Sequence, residues 1–278
     1  MPTTLMLAVL GGAFLHASWN VIAKAARDKH DEIATMLIGG ALLACLMLAV
    51  LPWPAMQSLP FMAASGVVHL AYFGLLAAAY QAGDLSLAYP LMRGVPPLLV
   101  TAASAIFLNE RLAPGSLAGI GLISAGVLGL AAARAGRAHA RVIGLALLNC
   151  LVIVAYTLID ATGARHSGAP FAYTAGVFIA NAALFVPLLL RQRGLRVIRS
   201  LKSRWPAALG GGLCSLGAYG VALWAMSRAP IGPVAALRET SILFGIALSM
   251  LVLGERPGAI RIASAALILA GVVVLRLA

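Results

Sequence analysis

The stretch LAYPLMRG over Leu87–Gly94 and the stretch ALRETS over Ala236–Ser241 decide the reading of this chain, because each sets one arginine, Arg93 or Arg238, inside a long apolar span. A shift of 145 residues lays Arg93 on Arg238, Ser104 on Ser249, Leu108 on Leu253 and Gly126 on Gly271. It also lays Glu110 and Arg111 on Glu255 and Arg256. The second half repeats the first. A charged side chain in hydrocarbon costs at least about 2.5 to 3.5 kcal/mol, so two at equivalent depth predict a polar cavity or an internal partner at the repeat interface. Membrane carriers are built in this way.

Composition points to the same class. The 278 residues are 62% hydrophobic and 10% charged, with a mean hydropathy of +0.99. A soluble domain carries about 25% charged residues. The formal charge of +12 would suggest nucleic acid in a soluble protein. Here the cations sit mostly in short links between apolar spans, where anionic headgroups and membrane orientation explain them, so no nucleic-acid partner is expected. Cys45, Cys150 and Cys214 fall inside apolar spans without metal-ligand spacing, and are expected to be buried small hydrophobes.

Ten spans of about 20 apolar residues can be marked off. They run near 4–25, 33–51, 61–82, 85–108, 115–133, 142–163, 170–190, 206–227, 232–253 and 258–277. Breakers separate them: Pro52, Pro54 and Pro60, then Gly83 with Asp84, Pro114 with Gly115, Gly168 to Pro170, and Pro257 with Gly258. The first span has no basic flank before it and no convincing cleavage site, so it is expected to stay in the mature chain. Residues 1–135 and 142–278 form the two five-span units. Five is odd, so the second copy enters the membrane from the opposite side, and a pseudo-twofold axis in the membrane plane relates the two. Between spans seven and eight, residues 191–205 carry six cations around Leu195, Ile198 and Leu201, which suits a short interfacial helix or a solvated basic loop.

The motif 87–94 with Pro97, the segment 108–112 (LNERL) and the pair 236–241 and 253–256 (LGER) resemble the fourth and fifth helices of EamA-type members of the drug/metabolite transporter superfamily, and their second-repeat counterparts. His16-Ala17-Ser18-Trp19-Asn20 with Lys24 is similar to the first helix of one branch. The resemblance covers nearly the whole chain. It implies an all-α membrane protein of ten transmembrane helices, two inverted five-helix repeats around a central cavity, and transport of small metabolites, with aromatic and neutral amino-acid exporters among known members. One departure stands out. The proline some thirteen residues before the helix-end glutamate is Pro97 in the first copy and Ile242 in the second.

Helical faces nominate the groups that line a cavity. His69, Tyr72, Leu76 and Tyr80 form one stripe; Asn149, Ile153, Tyr156 and Asp160 form another. Tyr89, Arg93, Pro96 and Val100 align in the fourth span, and Arg238, Ser241, Gly245 and Ser249 in the ninth. Polar groups facing lipid would lack partners, so these point inward. The candidate substrate-binding set is His16, Trp19, Asn20, His69, Tyr80, Arg93, Tyr156, Trp224, Arg238 and Glu239. Asp160 and Glu239 are candidate proton carriers, and Pro90, Gly94, Pro96 and Pro97 a candidate hinge. For each arginine two roles stay open: a clamp on a substrate carboxylate, or a structural tie to helix ends, Glu239 or Asp160. Glu110 and Glu255 beside Arg111 and Arg256 read as structural ion pairs, and the Gly115-xxx-Gly119 spacing as close packing within one monomer.

No catalytic residue, cofactor or metal is expected. Ser65 and His69 are four apart, yet no acid or oxyanion motif accompanies them, and no phosphate-binding loop or HExxH is present. The expected protein is therefore not an enzyme but a secondary transporter in the inner (plasma) membrane. It works as a monomer and moves small metabolites, amino acids first, by alternating access. A sugar, nucleoside or organic-cation carrier is the alternative, ahead of a channel or an intramembrane enzyme. Links after the odd-numbered spans hold 14 cations and the opposite side 4, which puts both termini outside by the positive-inside rule, whereas the family resemblance puts them in the cytoplasm.

Overall fold

The computed structural model describes residues 1–24, 29–82, 85–132, 140–194, 196–253 and 258–278. Thirteen α-helices are described: α1 (Thr3–Lys24), α2 (Lys29–Val50), α3 (Leu59–Ala82), α4 (Leu85–Gly94), α5 (Pro96–Leu108), α6 (Pro114–Ala132), α7 (Ala140–His166), α8 (Pro170–Arg193), α9 (Arg196–Ser203), α10 (Trp205–Met226), α11 (Ile231–Arg238), α12 (Ser241–Leu253) and α13 (Ala259–Leu277). A 3-10 turn at Met56–Ser58 precedes α3. Among the described residues, ten segments are long and apolar enough to cross a membrane; α4 with α5 and α11 with α12 each make one broken span. Prolines sit in the first turn of α5, α8 and α10, and in α8 and α10 the missing N–H costs nothing. At the other end of α5, Asn109 takes the left-handed conformation (φ 54°) that asparagine tolerates. That cap turns Glu110 out of the helix line.

The inversion is visible in the packing. Exchanging halves sends α1 to α7, α2 to α8, α3 to α10 and α6 to α13. The observed neighbours α1 with α10 and α3 with α7 trade places, as do α2 with α10 and α3 with α8, while α2 with α8 and α6 with α13 map onto themselves. Glycines show the axis at atomic scale. A Cβ on Gly119 would lie 2.9 Å from the Gly271 carbonyl, and one on Gly126 would lie 2.8 Å from the Ser264 carbonyl. Adding 145 to 119 and 126 gives 264 and 271, so each of these contacts is the image of the other. The Gly115-xxx-Gly119 pattern thus seats α6 against α13 within the chain, the packing expected of it.

Three expectations change in detail. Val197, not Ile198, is the buried residue of α9; Ile198 is 40% exposed. A pitch of 3.6 residues puts Val197 and Leu201 on one face, which turns toward α2. There Arg204 pairs with the buried Glu32 at 2.7 Å. Of the cysteines, Cys150 alone is buried; Cys45 is exposed and Cys214 half-buried. Lipid is as apolar as a core, so hydropathy does not tell a lipid-facing side from an inward one. Finally, α7 runs from Ala140 to His166, longer at both ends than the apolar span alone. Trp53 and Trp205 are exposed at span ends, as interfacial anchors should be.

Candidate functional site

Both broken spans break at the same place in the repeat, by different chemistry. Pro96 and Pro97 have no N–H, so the carbonyls of Met92 and Arg93 lose their helical donors and α4 stops at Gly94. Gly94 is needed there, since a Cβ would lie 2.7 Å from Leu128 Cγ on α6. In the second copy no proline stands at the break. Instead the Glu239 and Thr240 amides donate to the carbonyls three residues back, Ala236 at 3.0 Å and Leu237 at 3.1 Å. Thr240 Oγ1 donates to the Leu237 carbonyl as well, at 2.7 Å. This tightened turn replaces the missing proline.

The breaks place three charged or hydroxyl groups face to face. Arg93 Nε lies 2.8 Å from Glu239 Oε2, and its Nη2 donates to Ser241 Oγ at 3.0 Å. Glu239 stands where the first copy has Gly94, so the second repeat supplies the carboxylate that the first repeat's arginine needs. Arg238 is held differently. Its guanidinium carbon lies 5.4 Å from the centre of the Tyr219 ring. The Tyr219 hydroxyl donates to Asp160 Oδ2 at 2.5 Å, and the Tyr173 hydroxyl to Oδ1 at 3.0 Å. Asp160 is fully buried behind these tyrosines.

Two cavities meet at the arginines. The larger encloses about 1010 Å³ with its mouth and is lined by His16 and Trp19 of α1, Met36 of α2, His69 and Tyr72 of α3, Asn181 of α8, and Tyr219 of α10, among others. The smaller, about 570 Å³ on the same measure, lies between Tyr89, Pro96, Pro97, Val100, Thr157 and Glu239. Arg93, Arg238, Tyr72 and Tyr156 line both. The His69 ring stacks on Tyr156 at 4.3 Å, with Tyr72 edge-on to Tyr156 at 5.6 Å. Trp19 Nε1 donates to His16 Nδ1 at 3.3 Å.

Not every nominated residue faces this space. Asn20 lines neither cavity; its side chain donates back to the His16 carbonyl at 2.7 Å. Trp224 also lies outside both, sandwiched between Phe171, at 6.5 Å, and the Arg228 guanidinium, at 4.8 Å. The side chain of Tyr80 lies outside the described residues, as do Glu255 and Arg256. Asn149 Nδ2 meets Met92 Sδ at 3.4 Å and so packs α7 on α4. Asn181 was not nominated, although a lone amide in the span 170–190 was the available signal. Phe178 and Met36 carry no such signal, because an apolar residue that faces a cavity reads like one that faces lipid.

Ser65 and His69 do meet, with Oγ 3.1 Å from Nδ1. Yet Nδ1 also lies 2.9 Å from the Ser65 carbonyl, and a nitrogen that donates its proton there has no lone pair to accept one. No cluster of three metal-ligating side chains occurs among the described residues.

One end of the bundle is clamped. Glu110, after α5, pairs with Arg165 at the end of α7 and accepts the Ile231 amide at 2.8 Å, capping α11. Arg165 also donates to the carbonyls of Met226 at 2.9 Å and Ala229 at 3.2 Å. The ion pair expected of Glu110 is therefore made with Arg165 across the repeats and not with its neighbour Arg111. Odd and even spans alternate direction, so this clamp lies at the end that holds the termini. The larger cavity is lined from the opposite half of the bundle, by the later turns of α1 and the first turns of α2.

A family model for the EamA-like transporter family matches residues 3–132 and 140–277. The chain belongs to the EamA-like transporter family. Members of the EamA-like family are transporters, and this chain is a multi-pass membrane protein of that class. Among solved structures, 28 chains are similar to it. One crystal structure superposes with a TM-score of 0.75 at 22% identity, over 99% of this chain and 96% of its own, and so shares the fold. No curated protein matches the sequence.

Proposed function

We propose that the protein is a secondary carrier which exports an amino acid, or a small metabolite of similar size, by alternating access. The observation that carries this reading is the pair of cavities at the seam between the two halves. They are flanked by two broken helices and crossed by the Arg93–Glu239 pair. A polar seam between inverted repeats suits a solute that is bound at mid-membrane and passed from one side to the other. The clamp of Glu110 and Arg165 closes one end, and rocking of the halves would open it as the other end shuts. The breaks at Val95 and at Glu239–Thr240 are the points where the spans would bend, Pro90, Gly94, Pro96 and Pro97 acting as the hinge of the first.

The lining chemistry supports the solute class. Guanidinium and amide groups suit a zwitterion, while the rings of Tyr72, Tyr156 and His69 suit an apolar side chain. Of the residues nominated from sequence, His16, Trp19, His69, Arg93, Tyr156, Arg238 and Glu239 line the cavities and are proposed as the contacts. Asp160, behind Tyr219, is the proposed proton carrier if flux is coupled to protons.

Flux of radiolabelled amino acids, sugars, nucleosides and organic cations into liposomes containing the purified protein tests the reading. Saturable flux of amino acids is expected. Saturable flux of another class alone would replace the solute, and rates rising linearly with concentration would replace the carrier with a channel.

A further inference from the structure

We propose that Arg238 and Asn181 form a two-point recognition site for an α-amino acid in the larger cavity, the guanidinium holding the carboxylate and the amide oxygen holding the ammonium. The proposal rests on the carrier reading and names which atoms select its solute.

The two arginines are not equivalent. Arg93 is satisfied by Glu239 and Ser241. Arg238 makes no ion pair among the described residues; its guanidinium rests on the Tyr219 ring and opens onto both cavities. The carboxylate of Asp160 is taken by the hydroxyls of Tyr219 and Tyr173. Glu239 lies within electrostatic reach of Arg238 too, but it is one carboxylate between two guanidinium groups; the charge left over in a low-dielectric site is costly, and an anionic group of the solute relieves that cost. One planar fork with one surplus charge matches a carboxylate; a phosphate dianion would bring a second charge that nothing here balances.

Asn181 supplies the complementary half. Its Oδ1 is buried, 7% of the residue being exposed, and has no hydrogen-bond partner, although the residue lines the same cavity. Buried acceptors in folded proteins are almost always paired, so an unpaired one on a residue that lines a cavity marks the place of a donor. Among the other polar groups lining that cavity, His16 Nδ1 already accepts from Trp19. Tyr219 joins the two points: its ring lies under Arg238 and 6.4 Å from Phe178, which is one turn before Asn181 on α8. A Cβ on Gly66, one turn before His69, would lie 4.0 Å from Asn181 Oδ1, so the stacked rings of His69 and Tyr156 border the space beside it. Carboxylate, ammonium and apolar side chain each then have a wall.

Binding to the purified protein in detergent, measured calorimetrically, tests this without requiring flux. The probes are L-phenylalanine, 3-phenylpropanoate, which lacks the ammonium, and 2-phenylethylamine, which lacks the carboxylate. Unaltered protein should bind L-phenylalanine most tightly. Arg238→Gln should weaken L-phenylalanine and phenylpropanoate by about 10- to 100-fold, the worth of a charge-assisted hydrogen bond, and leave phenylethylamine unweakened. Asn181→Leu should weaken L-phenylalanine and phenylethylamine and spare phenylpropanoate. The spared probe in each case reports that the variant is folded. Should Arg238→Gln aggregate, Arg238→Lys keeps the charge, loses the fork, and must give the same pattern in weaker form. Equal weakening of all three probes, no preference for L-phenylalanine in the unaltered protein, or no saturable binding would each overturn the proposal. A protein that binds with the expected pattern and gives no flux in liposomes keeps the site and loses the carrier reading.

Discussion

Arg93 of the first repeat and Glu239 of the second form an ion pair at 2.8 Å across the seam of the protein, between the two broken helices. Because the pair is buried, its members depend on each other more than the fold depends on the pair. Removing one partner leaves an uncompensated charge, whereas removing both leaves an apolar contact. Glu239→Gln should therefore lower unfolding stability by about 3 kcal/mol, and Arg93→Met combined with Glu239→Leu should recover most of that loss. Thermal unfolding in detergent measures it. A double variant no more stable than the single one would assign the pair to something other than charge balance.

The proline break and the glycine contact make a second prediction. Pro96→Ala with Pro97→Ala restores two backbone donors, so α4 and α5 should join into one straight helix and the protein should become more resistant to heat. If the span bends during transport, flux should fall at the same time. Unchanged flux would make the break a packing feature. Gly94→Leu is the control, because its side chain collides with Leu128 and should reduce folded protein outright.

Glu110 and Arg165 hold α5, α7 and the start of α11 together at the end that carries the termini. In Glu110→Gln the charge on one side of that clamp is gone, and this end should open more often. A cysteine placed at Ala229, in a background where Cys45, Cys150 and Cys214 are serine, should react faster with a membrane-impermeant thiol reagent. Equal rates with and without Glu110 would show that other contacts keep this end shut.

Aromatic residues near the seam should separate into two groups. Tyr156 lines both cavities, while Trp224 is packed between Phe171 and Arg228. Tyr156→Ala is expected to change which amino acids cross, and Trp224→Ala to leave that profile as it is. Competition assays in liposomes decide between them; the reverse outcome would relocate the binding wall toward Trp224.

Orientation is a matter of charge. The side carrying 14 link cations should face the cytoplasm, which puts the clamped end and both termini outside. A C-terminal reporter that fluoresces only in the cytoplasm should stay dark. Bright cells would reverse the sides and make the larger cavity open outward.

Sequence alone determined the class, the ten spans, the inverted repeat and the placing of Arg93 and Arg238 inside apolar spans. These follow from one-dimensional quantities: apolar length against bilayer thickness, an odd number of crossings per copy, and the high cost of burying charge. It also marked the fourth span as a candidate hinge, since two consecutive prolines remove two ladder bonds wherever they lie. It did not show that the ninth span breaks too, because Glu239 and Thr240 do so through a tightened turn that has no signature residue. Only the tertiary structure decided which arginine is paired. Both occupy the same repeat position, and the difference arises because Glu239 replaces Gly94 in the second copy and reaches back across the axis to the first. The same holds for Asn20, Trp224 and Asn181. Helical periodicity says which residues share a face, while what that face meets depends on how neighbouring helices are turned, and in a membrane neither lipid nor core leaves a hydropathy mark to tell them apart.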